Sequence, residues 1–377
     1  MGAESPGRTR RQTPFGLLGM LGLVIGIEFG LARWGHGFTN PVGLEWRFGA
    51  QAAQRKAPRY EILCLGDSLL KCGVAAEVLE AKLGQRSFNL ALTAATPAVT
   101  YFQLRRALEA GARPRAIVLD FVPFLLDWDP RYCAHLLPEA LSLRDCADLG
   151  WTTRDAGLFG TVALARLFPS FRDRQGIRTR AQVTLLRQDT PTRLVQSDLA
   201  RDAQRGAQGQ TNLHLPPDHD LISFALYPPS WACSEVNASY IERTLSLADS
   251  LRIRVFWLVP PFSPAAHERR ERMGLDERYT AFVRDVASRH PNLIVVDGRR
   301  AGYPDWVHAD PAHLNRQGAI AFSTQVAEVI EKSLADRRRA ATWIDLPTFP
   351  DRPIQDALSD ERASRVTLSA TATKRGR

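Results

Sequence analysis

From Tyr60 onward, short apolar runs alternate with stretches whose apolar residues recur at helical spacing. Tyr60–Leu65 is strand-like, Ala75–Leu83 is helical, and Ser87–Leu92 is strand-like again. Thr100–Ala110 is helical, with Phe102, Leu104 and Leu108 on its apolar side, and Ala116–Phe121 is a continuous run, Ala-Ile-Val-Leu-Asp-Phe. Runs without polar alternation suit strands covered on both faces, as in a parallel sheet. Strand, helix, strand, helix, strand therefore predicts an α/β domain with helices on both sides of the sheet. The same alternation returns later, with a helix over Ala238–Leu251 carrying Tyr240, Ile241, Leu245, Ala248 and Leu251. A strand over Arg254–Val259, a helix over Glu277–Arg289 and a strand over Asn292–Val296 follow. Asn315 is placed to N-cap a last helix that runs to about Leu334, with Ile320, Phe322, Val326, Val329 and Ile330 facing inward.

Between these two blocks the periodicity fades over about a hundred residues, 127–235, which are too many for a simple loop. This stretch reads as an insertion, helical in part, for example over Val162–Leu167 and Ala181–Leu186. Residues 33–59 read as a polar linker with some helix formers, 60–335 as the folded domain, and 336–377, rich in Thr, Ser and Arg, as a disordered tail. Residues 15–32 form an apolar run near the minimum length of a membrane span, interrupted by Glu28. Arg8, Arg10 and Arg11 in residues 1–14 predict that this end stays in the cytoplasm and that the domain lies outside it. A cleaved signal peptide is the rival, but the run is longer than a signal core and Ala32-Arg33-Trp34 is a poor cleavage site. A buried N-terminal helix is a third reading, favoured by the cost of Glu28 in lipid.

With 45% apolar and 24% charged residues, the 377-residue chain can build a sizeable core. Its net charge of +9 is concentrated outside that core, in the N-terminal arginines, Arg337–Arg339, and Lys374, Arg375 and Arg377. Basic residues are not interleaved with aromatics, which argues against a nucleic-acid partner. Of the five cysteines, Cys64 falls in a strand and Cys72 after the turn that follows it. Cys133, Cys146 and Cys233 lie in the middle region, where an oxidising compartment would permit a disulfide, and spacing does not choose the pair. There is no Cys-x-x-Cys or His-rich cluster to suggest a metal.

Two separated motifs carry the candidate chemistry. Gly66-Asp67-Ser68 follows the first strand, and Asp310-Pro311-Ala312-His313 precedes the last helix. Sites in open α/β sheets form beyond the carboxyl ends of strands, and both motifs fall on that edge. A serine hydroxyl needs a base, and the base an orienting acid. The Asp-x-x-His turn can hold the carboxylate behind the imidazole, leaving the other ring nitrogen for the serine proton.

Leu65-Gly66-Asp67-Ser68 together with Asp310-Pro311-Ala312-His313-Leu314-Asn315 resembles the SGNH/GDSL hydrolases, a superfamily of esterases, lipases, carbohydrate deacetylases and extracytoplasmic polysaccharide O-acetyltransferases. The likeness covers about 60–124 and 238–334. It implies a flavodoxin-like three-layer α/β/α sandwich, with Ser68 as nucleophile, His313 as base, Asp310 as its partner, and no cofactor or metal. The family's oxyanion hole uses the serine N–H, a Gly after the second strand and an Asn after the third. Here Ala91 stands at the Gly position, no Gly-x-Asn-Asp follows the third strand, and Asn89 is the candidate substitute donor, with a turn-stabilising role as its alternative. The implied activity is acyl-ester hydrolysis, on an acyl ester or an acetylated carbohydrate. O-acyl transfer to a cell-surface polysaccharide is an alternative, and a non-catalytic binding or assembly role on the same fold is another.

Asp67 reads as a residue that orders the turn, and His308 as structural. His135, His214, His219 and His267 have no partner at a telling spacing. Asp127-Trp128-Asp129 and Tyr227-Pro228-Pro229-Ser230-Trp231 read as packing or turn segments, with a carbohydrate subsite as the alternative.

Overall fold

A computed structural model describes residues 15–34, 38–178, 226–228, 230–335 and 342–349. Helices and strands are numbered here in chain order over those residues. Six strands form one parallel sheet: β1 (Ile62–Leu65), β2 (Ser87–Asn89), β3 (Ala116–Asp120), β4 (Arg254–Val259), β5 (Leu293–Asp297) and β6 (Trp343–Asp345). Their order across the sheet is β2-β1-β3-β4-β5-β6, so the direction of winding reverses between β1 and β3.

Successive strand residues point to opposite faces, and here both faces are buried. Leu63, Leu65, Ile117, Leu119, Val255 and Trp257 pack under α5 (Pro97–Glu109), α11 (Glu235–Ser250) and α13 (Leu275–Arg289). Ile62, Cys64, Val118, Phe256, Leu258 and Val296 pack under α3 (Ser68–Gly73), α4 (Ala76–Leu83) and α14 (Arg316–Ala335). Each fully buried large apolar side chain contributes roughly 1.5–3 kcal/mol, which is why the strand sequences carry almost no polar residue. Asn315 caps α14 as predicted, its Oδ1 accepting the Gln317 and Gly318 N–H groups at 3.0 and 3.1 Å.

Two sequence boundaries need correction. The predicted linker contains α2 (Pro41–Arg55), where Trp46, Ala50 and Ala53, at i, i+4 and i+7, are buried against the domain. The predicted disordered tail contributes β6, which extends the sheet, and Leu346, which is buried beside it. The stretch read as an insertion, 127–235, is mostly helical over its described residues up to 178. After α6 (Pro123–Asp127) come α7 (Leu137–Ala140), α8 (Leu143–Thr153), α9 (Ala156–Leu167) and α10 (Pro169–Arg172). Leu137, Cys146, Leu149, Leu158 and Val162 pack on Trp46 and Phe102, forming a third apolar cluster beside the sheet. The predicted helix over Ala181–Leu186 lies outside the described residues. All five cysteines are free thiols. Burial pushes the thiols of Cys133 and Cys146 up to about 11 and that of Cys233 up to about 12, so they stay protonated and inert at neutral pH.

The N-terminal helix α1 (Phe15–Trp34) contains an 18-residue window, Gly16–Arg33, of mean hydropathy 1.6, none of it buried within the protein. It is long and apolar enough to cross a membrane, which is weak evidence for a single-pass anchor because signal sequences share these features. Its exposure argues against the buried-helix reading.

Candidate active site

After β1 the chain turns through Gly66 and Asp67 directly into α3, whose first residue is Ser68. Asp67 is the N-cap: its Oδ1 accepts the Leu69 N–H at 2.8 Å, and its Oδ2 accepts the Val122 N–H at 2.9 Å. Asp120, the last residue of β3, reaches across from the neighbouring strand. Its Oδ1 accepts the Asp67 N–H at 2.8 Å and its Oδ2 the Leu70 N–H at 2.9 Å. Two buried carboxyls thus hold the turn through backbone N–H groups, none of them Ser68's own. Burial pushes both carboxyls up, and Asp120 further, because it also faces the charge on Asp67. Asp67 therefore orders the turn, the role its position in the sequence suggested.

His313 comes from the other side of the sheet. β5 is three strands from β1, roughly 14 Å at about 4.8 Å per strand. The segment between β5 and α14 covers that distance. It is tied to the loop after β4 by a hydrogen bond from the Ser263 N–H to Pro311 O at 3.0 Å. It then narrows to a tight hairpin in which Ala309 N–H donates to His313 O at 2.8 Å and Asn315 N–H to Val307 O at 2.9 Å. His313 Nε2 ends 2.8 Å from Ser68 Oγ, and His313 Nδ1 lies 2.8 and 3.0 Å from Asp310 Oδ2 and Oδ1. Asp310 Oδ1 also accepts the N–H groups of Ala312 and His313, at 2.8 and 2.9 Å. Burial alone would raise the Asp310 carboxyl, but its bond to His313 and those two N–H groups bring it below its ordinary value. The structure therefore brings together Ser68, His313 and Asp310, separated by more than two hundred residues of sequence.

Of the three expected oxyanion donors, Ser68, Ala91 and Asn89, the last two are engaged elsewhere. Asn89 is fully buried, its Nδ2 donating to Leu70 O at 3.2 Å and Val74 O at 2.9 Å, while its Oδ1 accepts the Ala91 N–H at 2.9 Å. Asn89 and Ala91 thus satisfy each other and brace the back of α3. Three residues on, Ala94 takes a left-handed conformation, φ 57°, and packs on the cluster of Leu69, Val122 and Ala312 beside Ser68. Neither its N–H nor that of Ser68 makes a hydrogen bond among the described residues.

A left-handed alanine costs about 1–2 kcal/mol and persists only where its surroundings impose it. Here the preceding residue is clamped. Thr93 N–H donates to Glu45 Oε1 at 2.6 Å, Thr93 O accepts from Trp46 Nε1 at 2.9 Å, and Thr93 Oγ1 lies 3.0 Å from Glu45 Oε2. The buried Lys71, one turn after Ser68, donates to Glu45 Oε2 at 2.9 Å and Thr93 Oγ1 at 2.7 Å. If Ser68 attacks an acyl ester and the Ala94 N–H serves as a donor to the oxyanion, Glu45→Gln should lower kcat by roughly tenfold to a hundredfold, with KM nearly unchanged, because misplacing one donor acts on the transition state. An equal rise in KM with kcat intact would show that the clamp shapes only substrate binding.

Sequence reading missed Ala94, because an alanine at positive φ leaves no mark of the kind glycine does. Asp120 did leave a mark, as the one charge in a buried apolar run. His308 is structural: it is buried, its Nδ1 is 3.0 Å from Pro304 O, and burial lowers its pKa, keeping it neutral. His267, without a partner at a telling spacing, in fact pairs with Asp276 at 3.1 Å. Trp231 is core, its indole donating to Pro123 O and its ring edge-on to Tyr279 and Phe282. Trp128, Phe124 and Tyr227 pack against the apolar cluster next to Ser68. Among the described residues no group of three His, Cys, Asp or Glu side chains is placed to hold a metal ion. No protein-family model matches the chain, and no curated protein matches it.

Proposed function

We propose that the protein is a serine-dependent acyl-ester hydrolase of the SGNH/GDSL type, held at a membrane by α1 with its domain outside the cytoplasm. The observation that carries this reading is the continuous chain Ser68 Oγ, His313, Asp310, with contacts of 2.8 Å at both imidazole nitrogens. In the productive tautomer Nδ1–H donates to Asp310 and Nε2 accepts the Ser68 proton. Ser68 Oγ attacks the acyl carbonyl, and the proton passes to His313. The carbonyl oxygen becomes an oxyanion facing the free N–H groups of Ser68 and Ala94. As the tetrahedral species collapses, the ester C–O bond breaks and His313 returns the proton to the leaving alcohol. Water, activated by the same imidazole, then releases the acid and restores Ser68. The half-buried Phe124, Trp128 and Tyr227, packed on the buried cluster of Leu69, Val122, Phe262 and Ala312, supply a surface for the acyl group.

A fluorophosphonate probe tests the reading. The full chain in detergent should label, and Ser68→Ala should abolish labelling. If the unaltered protein stays unlabelled where a known serine esterase labels, the enzyme reading gives way to a binding role. Turnover of p-nitrophenyl acetate with and without oligosaccharides separates hydrolysis from the alternative, O-acyl transfer: sugars that gain acetyl groups identify the transferase.

A further inference from the structure

The helices α9 and α10 leave an apolar surface uncovered next to the anchor. Only Thr161 and Arg166 are polar in α9, and Arg166, itself exposed, donates its Nε–H to Leu141 O at 3.1 Å. Leu158, Val162 and Ala165 bury one side of α9. The opposite side and the start of α10 expose Leu164, Leu167, Phe168 and Phe171 at 48, 56, 42 and 38%. A helix apolar around its whole circumference is normally covered on all sides.

The place of this surface is set by one contact. Ser170, in α10, donates its N–H to Glu28 Oε2 at 3.0 Å and its hydroxyl to Glu28 Oε1. Glu28 lies five residues inside the Arg33 end of the apolar window of α1, about 8 Å along the axis at 1.5 Å per residue. If α1 spans a bilayer, Ser170 shares that depth. It coincides with the roughly 5–10 Å at which interfacial helices seat. The contact also satisfies a carboxylate that would otherwise be costly in the apolar region. Between α1 and the protein body lies a cavity of about 920 Å³. One wall carries Val24, Ile25 and Phe29, and the other Arg105, Arg106 and Arg144. These arginines are paired with Asp145 or Glu109.

We propose that α9 and α10 are a second membrane-contacting element, seated in the lipid interface against α1 with Leu164, Leu167, Phe168 and Phe171 in lipid. The proposal rests on α1 being a membrane span. The test places a benzophenone amino acid singly at positions 23, 168, 171 and 306 of the full chain. Each protein is irradiated in nanodiscs of phosphatidylcholine and phosphatidylglycerol, and its adducts are identified by mass. Position 23 reports the span, and exposed Trp306 serves as the aqueous reference. Lipid adducts at 168 and 171 should exceed those at 306 by at least about tenfold, as expected for groups seated in the interface. Adducts at 23 with cross-links from 168 and 171 to a second copy or to residues 179–225, or with no excess over 306, overturn the proposal and leave the span standing. No lipid adduct at 23 removes the span, and the proposal with it.

Discussion

Asp310→Asn should lower kcat/KM for an acyl ester by about ten-thousand-fold while the protein stays folded. The geometry predicts how. Oδ1 of Asp310 accepts two backbone N–H groups, from Ala312 and His313, whereas Oδ2 faces only His313 Nδ1. An asparagine keeps its carbonyl at the first position, where the two donors demand an acceptor, and so presents its amide N–H₂ to Nδ1. Nδ1 then becomes the acceptor, the ring proton moves to Nε2, and Nε2 points a donor at Ser68 Oγ instead of a lone pair. The base is lost without losing the loop. Turnover, the rate of fluorophosphonate labelling and a thermal melt check this together: the first two should fall in parallel and the third should move little. Turnover within tenfold of the unaltered protein would mean that Asp310 does not set the tautomer. The charge also matters for pH. The Asp310 pKa is lowered in the fold, so its stabilising contribution is complete above its unfolded value, about 3.9, and is lost as pH falls through the lower folded value. A loss of activity between pH 5 and 7 therefore does not report Asp310.

The parallel sheet was legible because its strands are buried on both faces, and a run such as Ala116–Asp120 has few other uses. The meeting of Ser68, His313 and Asp310 was legible because a serine at the end of the first strand and an Asp-x-x-His turn before the last helix fall on one edge of such a sheet. Side-chain direction was not legible. Asn89 at the end of β2 reads equally as a donor to a substrate or to the backbone, and only the fold aims its amide at Leu70 and Val74. The linker was misread because its polar residues hid the spacing of Trp46, Ala50 and Ala53, although that spacing was present. β6 was missed because three residues, Trp343–Asp345, form a strand only where an existing edge, here β5, supplies the partner. What the sequence concealed was where the supports aim: the lone charge of β3, Asp120, onto the Gly66–Ser68 turn of the neighbouring strand, and Glu45, from an adjacent helix, onto Thr93 beside Ala94.

Gly66→Ala should cost most of the protein's stability, and Gly73→Ala almost none, although the two glycines lie at opposite ends of the same short segment. A Cβ on Gly66 would stand 1.8 Å from Asp120 Oδ1 and 2.8 Å from the Asp120 carbonyl oxygen, on a backbone whose φ of 156° already suits glycine. Neither neighbour can yield. The carbonyl belongs to β3, and moving the carboxyl breaks its bonds to the Asp67 and Leu70 N–H groups. Each buried donor left unpaired costs about 1–3 kcal/mol and the overpacking about as much again, against a total stability of about 5–15 kcal/mol. A Cβ on Gly73 would meet only Leu314 and Phe322 side-chain carbons at 3.7 and 3.9 Å, ordinary contact distances. Urea unfolding followed by circular dichroism compares the two. Gly66→Ala should shift the midpoint sharply downward or leave no soluble protein, with Gly73→Ala close to the unaltered chain. Equal midpoints for all three would show that Asp120 does not pack against the nucleophile turn, and that Ser68 is held in place by something else.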